Sequence, residues 1–303
     1  MKLTKYCTRA ELKDSTLAFS EKFTILRKVI ANTLNIERNV RNIGLTALLI
    51  AITLLISGST YTPPNTPPDS KVDVVVIDAG HGGHDNGTHG RLLKEKDLAL
   101  SIALKVGNYI EKNIPDVKVI YTRKDDRYLA LDERADIANK NKADLFICIH
   151  ANANHNRNAF GTETFVMGLH KDEGNLAIAQ RENSVILMDE NYEERYEGFN
   201  PNSPESYILF TLIQSAYQES SLKFAQKVEN QFADRVGRES RGVKQAGFVV
   251  LWRTTMPSVL IETGFLTNST EEKFLSNEEG QNLIASGIYR AFKEYKNEVE
   301  SIN

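Results

Sequence analysis

Short apolar runs alternate with amphipathic stretches between residues 72 and 298. The strand candidates are rich in Val, Ile and Leu and cover residues 72–77, 117–122, 145–149, 161–167, 248–251 and 259–261. In the helix candidates apolar residues recur at three- and four-residue spacing, over residues 96–112, 131–142, 221–236 and 278–296. This alternation predicts an α/β fold with a single, largely parallel or mixed β-sheet flanked by helices.

Residues 170–240 interrupt this pattern. The stretch is polar and charged, and it contains the turn Gly-Phe-Asn-Pro-Asn-Ser-Pro that begins at Gly198. It predicts a helical insertion between the strand candidates 161–167 and 248–251. Insertions of this length often cover or gate a site. A peripheral helix pair without a role is the alternative.

The chain before residue 72 predicts export. No charged residue occurs from Asn42 to Pro68, and basic residues precede this stretch, which places the N-terminus in the cytoplasm. Residues 42–58 are therefore predicted to be a signal peptide or a membrane anchor. Residues 1–41 would be a cytoplasmic tail or an extended n-region, and residues 59–71 a Pro/Thr-rich linker. A buried core helix is the alternative, because the strictly apolar part is shorter than the ~20 residues that span a membrane.

Composition and charge narrow the function classes. The net charge is −3, which argues against nucleic acid as the main partner because such proteins favour a basic face. The chain has 2 cysteines, Cys7 and Cys148, on opposite sides of the apolar segment. A structural disulfide or a cysteine-based zinc site is therefore not expected.

Four polar residues lie at or just beyond the ends of strand candidates or in an adjacent loop. His81 follows the first strand in a glycine-rich loop that lacks the spacing of a phosphate-binding motif. Glu95 lies at the entry to the first helix, and His150 and Glu262 end later apolar runs. Side chains at the carboxyl ends of neighbouring strands converge on one crevice. Two imidazoles and one carboxylate suit a catalytic zinc ion, and a further carboxylate would act as general base.

Taken singly, some of these residues also have a purely structural interpretation. His150 could be a hydrogen-bonded core histidine, and Glu95 could be a favourable charge in the first turn of a helix. Glu262 directly follows Val-Leu-Ile, where an unpaired carboxylate would be costly. His84 and His89 lie in a polar loop, so we expect them to be exposed or to contact substrate.

Several motifs together resemble a known family. They are Asp78-Ala-Gly-His-Gly-Gly, Lys94-Glu-Lys-Asp-Leu, Tyr121-Thr-Arg-Lys-Asp-Asp, the segment 134–139, Ile149-His-Ala-Asn-Ala and Pro257-Ser-Val-Leu-Ile-Glu-Thr-Gly-Phe-Leu-Thr-Asn. In this order, over residues 72–298, they resemble a zinc-dependent N-acetylmuramoyl-L-alanine amidase of the amidase-3 family.

The resemblance implies a function and a role for each residue. One Zn²⁺ would be bound by His81, Glu95 and His150, and Glu262 would be the catalytic glutamate. The substrate would be peptidoglycan, cleaved at the amide between N-acetylmuramic acid and L-alanine during wall remodelling or daughter-cell separation. Such an enzyme would work in the periplasm or cell envelope.

The insertion resembles that of the regulated, cell-separation members of the family. There an inserted helix covers the zinc until an activator protein displaces it. Glu182 and Glu190 are the main candidates for the blocking side chain, together with Glu193 and Glu194. Glu182 is favoured because it follows a plausible helix.

Two rival functions remain at this point. Another zinc peptidase acting on the stem peptides of peptidoglycan would use the same metal chemistry. A non-catalytic wall-binding protein would have lost one of the four site residues, and all four are present.

Overall fold

The computed structural model describes residues 71–170, 172–211 and 217–301. The predicted cytoplasmic tail, the hydrophobic segment 42–58 and all but the end of the linker lie outside the described residues. Among the helices of the described part, none is both long and apolar enough to cross a membrane.

In the described part, one mixed sheet forms the centre of the fold. Its strands are β1 (Val74–Ala79), β2 (Lys118–Tyr121), β3 (Leu145–Asn152), β4 (Thr162–Met167), β5 (Ser240–Ala246) and β6 (Ser258–Phe265). Their order is β2-β1-β3-β6-β4-β5. Only the β4–β6 pair is antiparallel, while the other neighbours run parallel. The predicted α/β fold is confirmed.

Helices cover both faces of the sheet. The longer ones are α1 (Glu95–Asn113), α2 (Leu131–Lys140), α3 (Glu173–Asn183), α5 (Pro204–Thr211), α6 (Gln218–Gln231), α8 (Ser269–Ser276) and α9 (Glu278–Ser301). Two single turns are α4 (Tyr192–Arg195) and α7 (Val249–Trp252). One hydrophobic core joins α1, α6 and α9 to the sheet. A second core, on the opposite face, includes residues of α2, α7 and the segment after α3.

One prediction about the sheet is wrong. The strand expected at 248–251 is the helical turn α7, and the strand lies earlier, at β5. An apolar run of four residues is equally compatible with a strand and with a buried helical turn, so the sequence pattern alone cannot decide between them. The structure has only helices between β4 and β5 in the described part of the predicted insertion 170–240, and the last long one, α6, packs Phe224 and Val228 into the first core. The part that departs from the α/β pattern therefore comprises α3 to α5.

Candidate active site

The strand ends bring together the four residues singled out in the sequence. His81 follows β1 in a backbone conformation with φ of 60°, and Glu95 is the first residue of α1. His150 in β3 and Glu262 in β6 are direct partners in the sheet register. Parallel strands β1, β3 and β6 therefore direct these side chains to one edge of the sheet.

A cluster of donor atoms lies at this edge. His81, Glu95, His150 and Glu182 each offer one ligand atom, and these atoms lie within 4.8 Å of one another. Oε1 of Glu95 is 3.0 Å from Nε2 of His81 and 2.9 Å from Nδ1 of His150. Oε2 of Glu182 is 3.3 Å and 3.2 Å from the same two nitrogens.

The donor set fits a metal ion. Nε2 of His81 and Oε2 of Glu182 are buried, and although they face polar atoms at these distances, none of their contacts with the described residues has hydrogen-bond geometry. Buried polar atoms without a partner are rare and need an explanation. Imidazole and carboxylate groups that face one point supply the ligand types that Zn²⁺ accepts in proteins.

Neighbouring groups hold these ligands in place. Oδ2 of Asp85 lies 2.7 Å from Nδ1 of His81, which leaves Nε2 directed at the cluster. The second oxygen of Glu95 accepts a hydrogen bond from the backbone N–H of Thr88. The backbone N–H of Ala151 donates to the first. Partners of this kind orient metal ligands.

Glu262 is the carboxylate beside this cluster. Its side chain is fully buried, and among the described residues neither of its oxygens has a hydrogen-bond partner. Burial raises the pKa of Glu262, and the charges of Glu182 and Glu95 raise it further, so it lies well above its usual range despite Arg181. A raised pKa brings a carboxyl group towards the range in which it exchanges protons near neutral pH.

Helix α3 contributes two charged residues to the site. Glu182 reaches the two histidines, and Arg181 lies 2.8 Å from Glu182 and 3.6 Å from Oε1 of Glu262. Burial acts to raise the pKa of Glu182, but Arg181 and His150 outweigh it and hold the pKa well below its usual range. The helix therefore contacts both the metal-binding cluster and Glu262.

The remaining acidic candidates of the insertion lie elsewhere. Glu190, Glu193 and Glu194 are exposed and lie outside the cluster. Of the four acidic candidates, Glu182 alone lies in the cluster. His84 and His89 are exposed, as expected.

Little space remains at the cluster. The cavity there has a volume of about 10 Å³ and is lined by His81, His150 and Glu182, among others. This is close to the minimum that a single water molecule occupies. The cluster therefore has almost no free volume beside Glu182 of α3.

Sequence reasoning missed two residues of the site. Asp85 follows His81 by four residues in the same loop, and an acidic residue so close to a predicted ligand was the available signal. Arg181 precedes Glu182 directly, but nothing in the sequence indicates that its guanidinium reaches Glu262.

The sequence profile described as N-acetylmuramoyl-L-alanine amidase matches residues 75–294. This match spans more than half of the chain and includes His81, Glu95, His150 and Glu262. The chain belongs to the N-acetylmuramoyl-L-alanine amidase family.

Individual relatives agree with this assignment. The chain is 34% identical over 228 residues to the amidase AmiC of Escherichia coli, a match that covers 73% of this chain and 52% of AmiC. It is 32% identical over 268 residues to the amidase AmiA of E. coli, covering 84% of this chain and 90% of AmiA. The chain thus spans about half the length of AmiC and nearly all of AmiA.

A solved structure shares the fold. The N-acetylmuramoyl-L-alanine amidase from Clostridium difficile 630 superposes with a TM-score of 0.57 at 30% sequence identity, over 75% of this chain and 98% of the other. The chain is therefore an enzyme, an amidase that cleaves the amide between N-acetylmuramic acid and L-alanine in peptidoglycan. This confirms the activity and substrate that the sequence predicted.

Proposed function

We propose that the amidase is zinc-dependent and that His81, Glu95 and His150 bind the ion. Two imidazoles and one carboxylate, with a further position for water, form a common catalytic zinc site. When bound, zinc acidifies water and polarises the amide carbonyl of the substrate. The observation that supports this role is the convergence of ligand atoms from these three residues on one buried point, where Nε2 of His81 has no hydrogen-bond partner among the described residues.

Glu262 is the general base in this proposal. Its carboxylate accepts a proton from the water that attacks the amide carbonyl. It then donates this proton to the nitrogen of L-alanine as the carbon–nitrogen bond breaks. The position of Glu262 beside His150 in the sheet register supports the role, because both side chains then face the same reacting group.

Helix α3 blocks this site in the proposed resting state. Glu182 takes the position that water and substrate need, and Arg181 forms an ion pair with Glu262. The cavity of about 10 Å³ carries this part of the proposal. Activation then requires that α3 leave the cluster, which shifts an equilibrium between a covered and an open state.

A partner protein would favour the open state. Leu187 and Met188 lie at the end of the 3-10 turn that follows α3 and are 41% and 72% exposed, so a partner can contact apolar side chains close to the blocking helix. The CwlD amidase from Clostridioides difficile, 26% identical to this chain with a TM-score of 0.55, has been solved in complex with the GerS lipoprotein. This complex is a precedent for a partner protein that binds an amidase of this fold, and it supports regulation of the present amidase by a partner.

The proposed location is the periplasm or cell envelope, because peptidoglycan lies outside the cytoplasmic membrane. Residues 42–58 would direct export or anchor the enzyme. An alkaline phosphatase fused after residue 71 should be active in cells, since this reporter folds only after export. An inactive, stable fusion would contradict the proposal.

The blocking helix is tested by substitution of Glu182. Glu182→Ala should raise the basal release of peptide from peptidoglycan roughly 10- to 100-fold, as expected when a state populated at about 1–10% becomes dominant. Glu190→Ala is the matched control, because this glutamate of the same insertion is exposed, and its activity should not change. Equal rates for the wild type and Glu182→Ala would contradict autoinhibition.

Arg181→Gln should also raise the basal rate, because Glu182 would then face Glu262 without a cation between them.

The chemistry is tested in the activated background. Adding Glu262→Gln to Glu182→Ala should lower the rate about 10²- to 10⁴-fold, while zinc content, measured by elemental analysis, stays the same. The products should be free stem peptides that begin with L-alanine. Release of D-alanine alone would instead indicate the rival peptidase, and a retained rate would remove Glu262 from the mechanism.

A further inference from the structure

Two buried arginines lie beneath the loop that carries His81. Arg123 follows β2, Arg134 belongs to α2, and their exposed fractions are 2% and 1%. Burial of a guanidinium is costly unless its donors are satisfied. Both side chains direct their donors at the backbone of the same loop.

Three successive carbonyls of this loop accept hydrogen bonds from the arginines. Ala79 accepts from Nε of Arg123 at 2.9 Å and from Nη1 of Arg134 at 2.7 Å. Gly80 accepts from Nη2 of Arg123 at 2.7 Å. His81 accepts from Nη2 of Arg134 at 2.7 Å. Charged donors make these bonds stronger than neutral ones.

The loop needs this support because its conformation is unfavourable. His81 has a φ of 60°, a region that side chains other than glycine rarely adopt. At Gly80 a Cβ atom would lie 2.4 Å from Nε2 of His150, so the loop backbone packs directly against the second histidine. Strained conformations persist only where the surroundings determine them.

Arg123 also joins this loop to a second part of the site. Its Nη2 donates to the backbone carbonyl of Lys96 at 2.8 Å, one residue after Glu95 in α1. In the described structure, all hydrogen bonds of the Arg123 side chain go to backbone carbonyls. One guanidinium therefore connects the backbone at His81 with the backbone at Glu95.

The carboxylate of Asp78 in β1 holds the side chain of Arg134 in place. Its Nη1 donates to Oδ1 of Asp78 at 2.9 Å. The same carboxylate also accepts from Thr122 and from Cys148. The carboxylate of Asp78 therefore orients the guanidinium of Arg134, and the guanidinium in turn holds the backbone of the loop through its hydrogen bonds to Ala79 and His81.

We propose that Arg123 and Arg134 are positioning residues that set His81 and Glu95 at the geometry required for metal binding. The inference rests on the proposed zinc site, and it adds residues that touch neither the ion nor the substrate. Loss of Arg123 should let the loop 79–81 and the start of α1 relax independently. The two ligands would then no longer meet at one point.

The test measures metal affinity and metal geometry as well as activity. In the full-length protein, Arg123→Met should weaken zinc binding about 10- to 100-fold, the range found when supports of metal ligands are removed. Competition with a chelator gives this affinity. The visible absorption of the Co²⁺-loaded protein should change, because it reports on ligand geometry. Arg123→Lys should recover part of the affinity.

Arg127→Met is the matched control. Arg127 lies in the same turn, but its side chain is 63% exposed and pairs with Asp125. Its zinc affinity and Co²⁺ spectrum should equal those of the wild type. If Arg123→Met lowers the melting temperature but binds zinc with wild-type affinity and spectrum, Arg123 is only structural and the inference is wrong. Should Arg123→Met fail to fold, the same comparison applies to Arg123→Lys, whose single ammonium cannot reach all of these carbonyls.

His81→Ala separates this inference from the proposal beneath it. If His81→Ala binds zinc as tightly as the wild type, the proposed metal site is wrong. If His81→Ala loses zinc while Arg123→Met keeps it, only the positioning role is wrong.

Discussion

Helices α1 and α3 both bring a glutamate to the same cluster, but they are attached to the protein in different ways. Helix α1 buries Leu98, Ile102, Val106 and Ile110 in the first core. Each such side chain contributes about 1.5–3 kcal/mol when fully buried. Helix α3 fully buries only one apolar side chain, Ala179, beside three polar ones. Glu95 is thus part of the folded core, whereas Glu182 is held mainly by polar contacts.

The contacts around the two carboxylates show the same contrast. Glu95 accepts hydrogen bonds from the backbone N–H groups of Thr88 and Ala151. Glu182 pairs with Arg181, which belongs to the same helix. If α3 moves, Glu182 leaves together with its cation, whereas Glu95 cannot leave without unfolding α1. In the proposed function, the metal ligand Glu95 and the blocking group Glu182 are both glutamates, and they differ in how their helices are packed.

The largest expected effect comes from replacing the carboxylate of each of the two glutamates with the amide of glutamine. Glu95→Gln should abolish activity and weaken zinc binding by more than the roughly 10- to 100-fold seen for supporting residues. Glu182→Gln should keep the zinc and raise the basal rate. Chelator competition and peptide release measure both. If Glu182→Gln lost zinc as Glu95→Gln does, the two residues would be equivalent ligands and the contrast would fail.

The second prediction concerns packing. Ile102→Ala should lower the free energy of unfolding by about 2–5 kcal/mol, because it leaves a cavity in the core. Ile178→Ala in α3 should cost less than about 1.5 kcal/mol, since its side chain is partly exposed. Urea denaturation measures both values. Equal losses would show that α3 is as firmly packed as α1.

The smallest expected effect comes from the start of α3. The carboxylate of Asp172 caps this helix by accepting from the N–H of Asn175 at 2.8 Å. Asp172→Ala should destabilise α3 by about 1 kcal/mol, which corresponds to about a fivefold higher basal rate.

Asn268→Ala is the control for this cap. Asn268 caps α8 by accepting from Thr270 and Glu271, so its loss should cost similar stability without raising the rate. A rise in both variants would mean that general destabilisation opens the site. An unchanged basal rate in both variants would mean that the cap of α3 does not influence whether this helix covers the metal cluster.

Much of the fold follows from the chain because local patterns and burial agree. The strands β1, β3 and β6 are fully or almost fully buried, so their apolar runs stand out. The edge strand β5 is Ser-Arg-Gly-Val-Lys-Gln-Ala, and most of it is partly exposed. Such a strand has no apolar signature, which explains why the prediction placed it at the apolar run 248–251 instead.

Helix α6 lies within the predicted insertion, but it packs in the first core together with α1 and α9. Its apolar positions have helical spacing, as predicted, but the polar residues before it suggested that it belonged to the interruption. Only the packing of Phe224 and Val228 in the first core shows that this helix is part of the scaffold.

The sequence by itself determined the α/β fold, the family and the four residues at the strand ends, because each depends on short-range pattern or on motif. The tertiary structure decided which of the insertion's glutamates reaches the cluster. It also decided that Arg181 lies between Glu182 and Glu262, and that Arg123 and Arg134 bind the loop of His81. These contacts join residues that are 1 to 101 positions apart in sequence. Their distances depend on how helices and loops pack around the sheet, which no local pattern records.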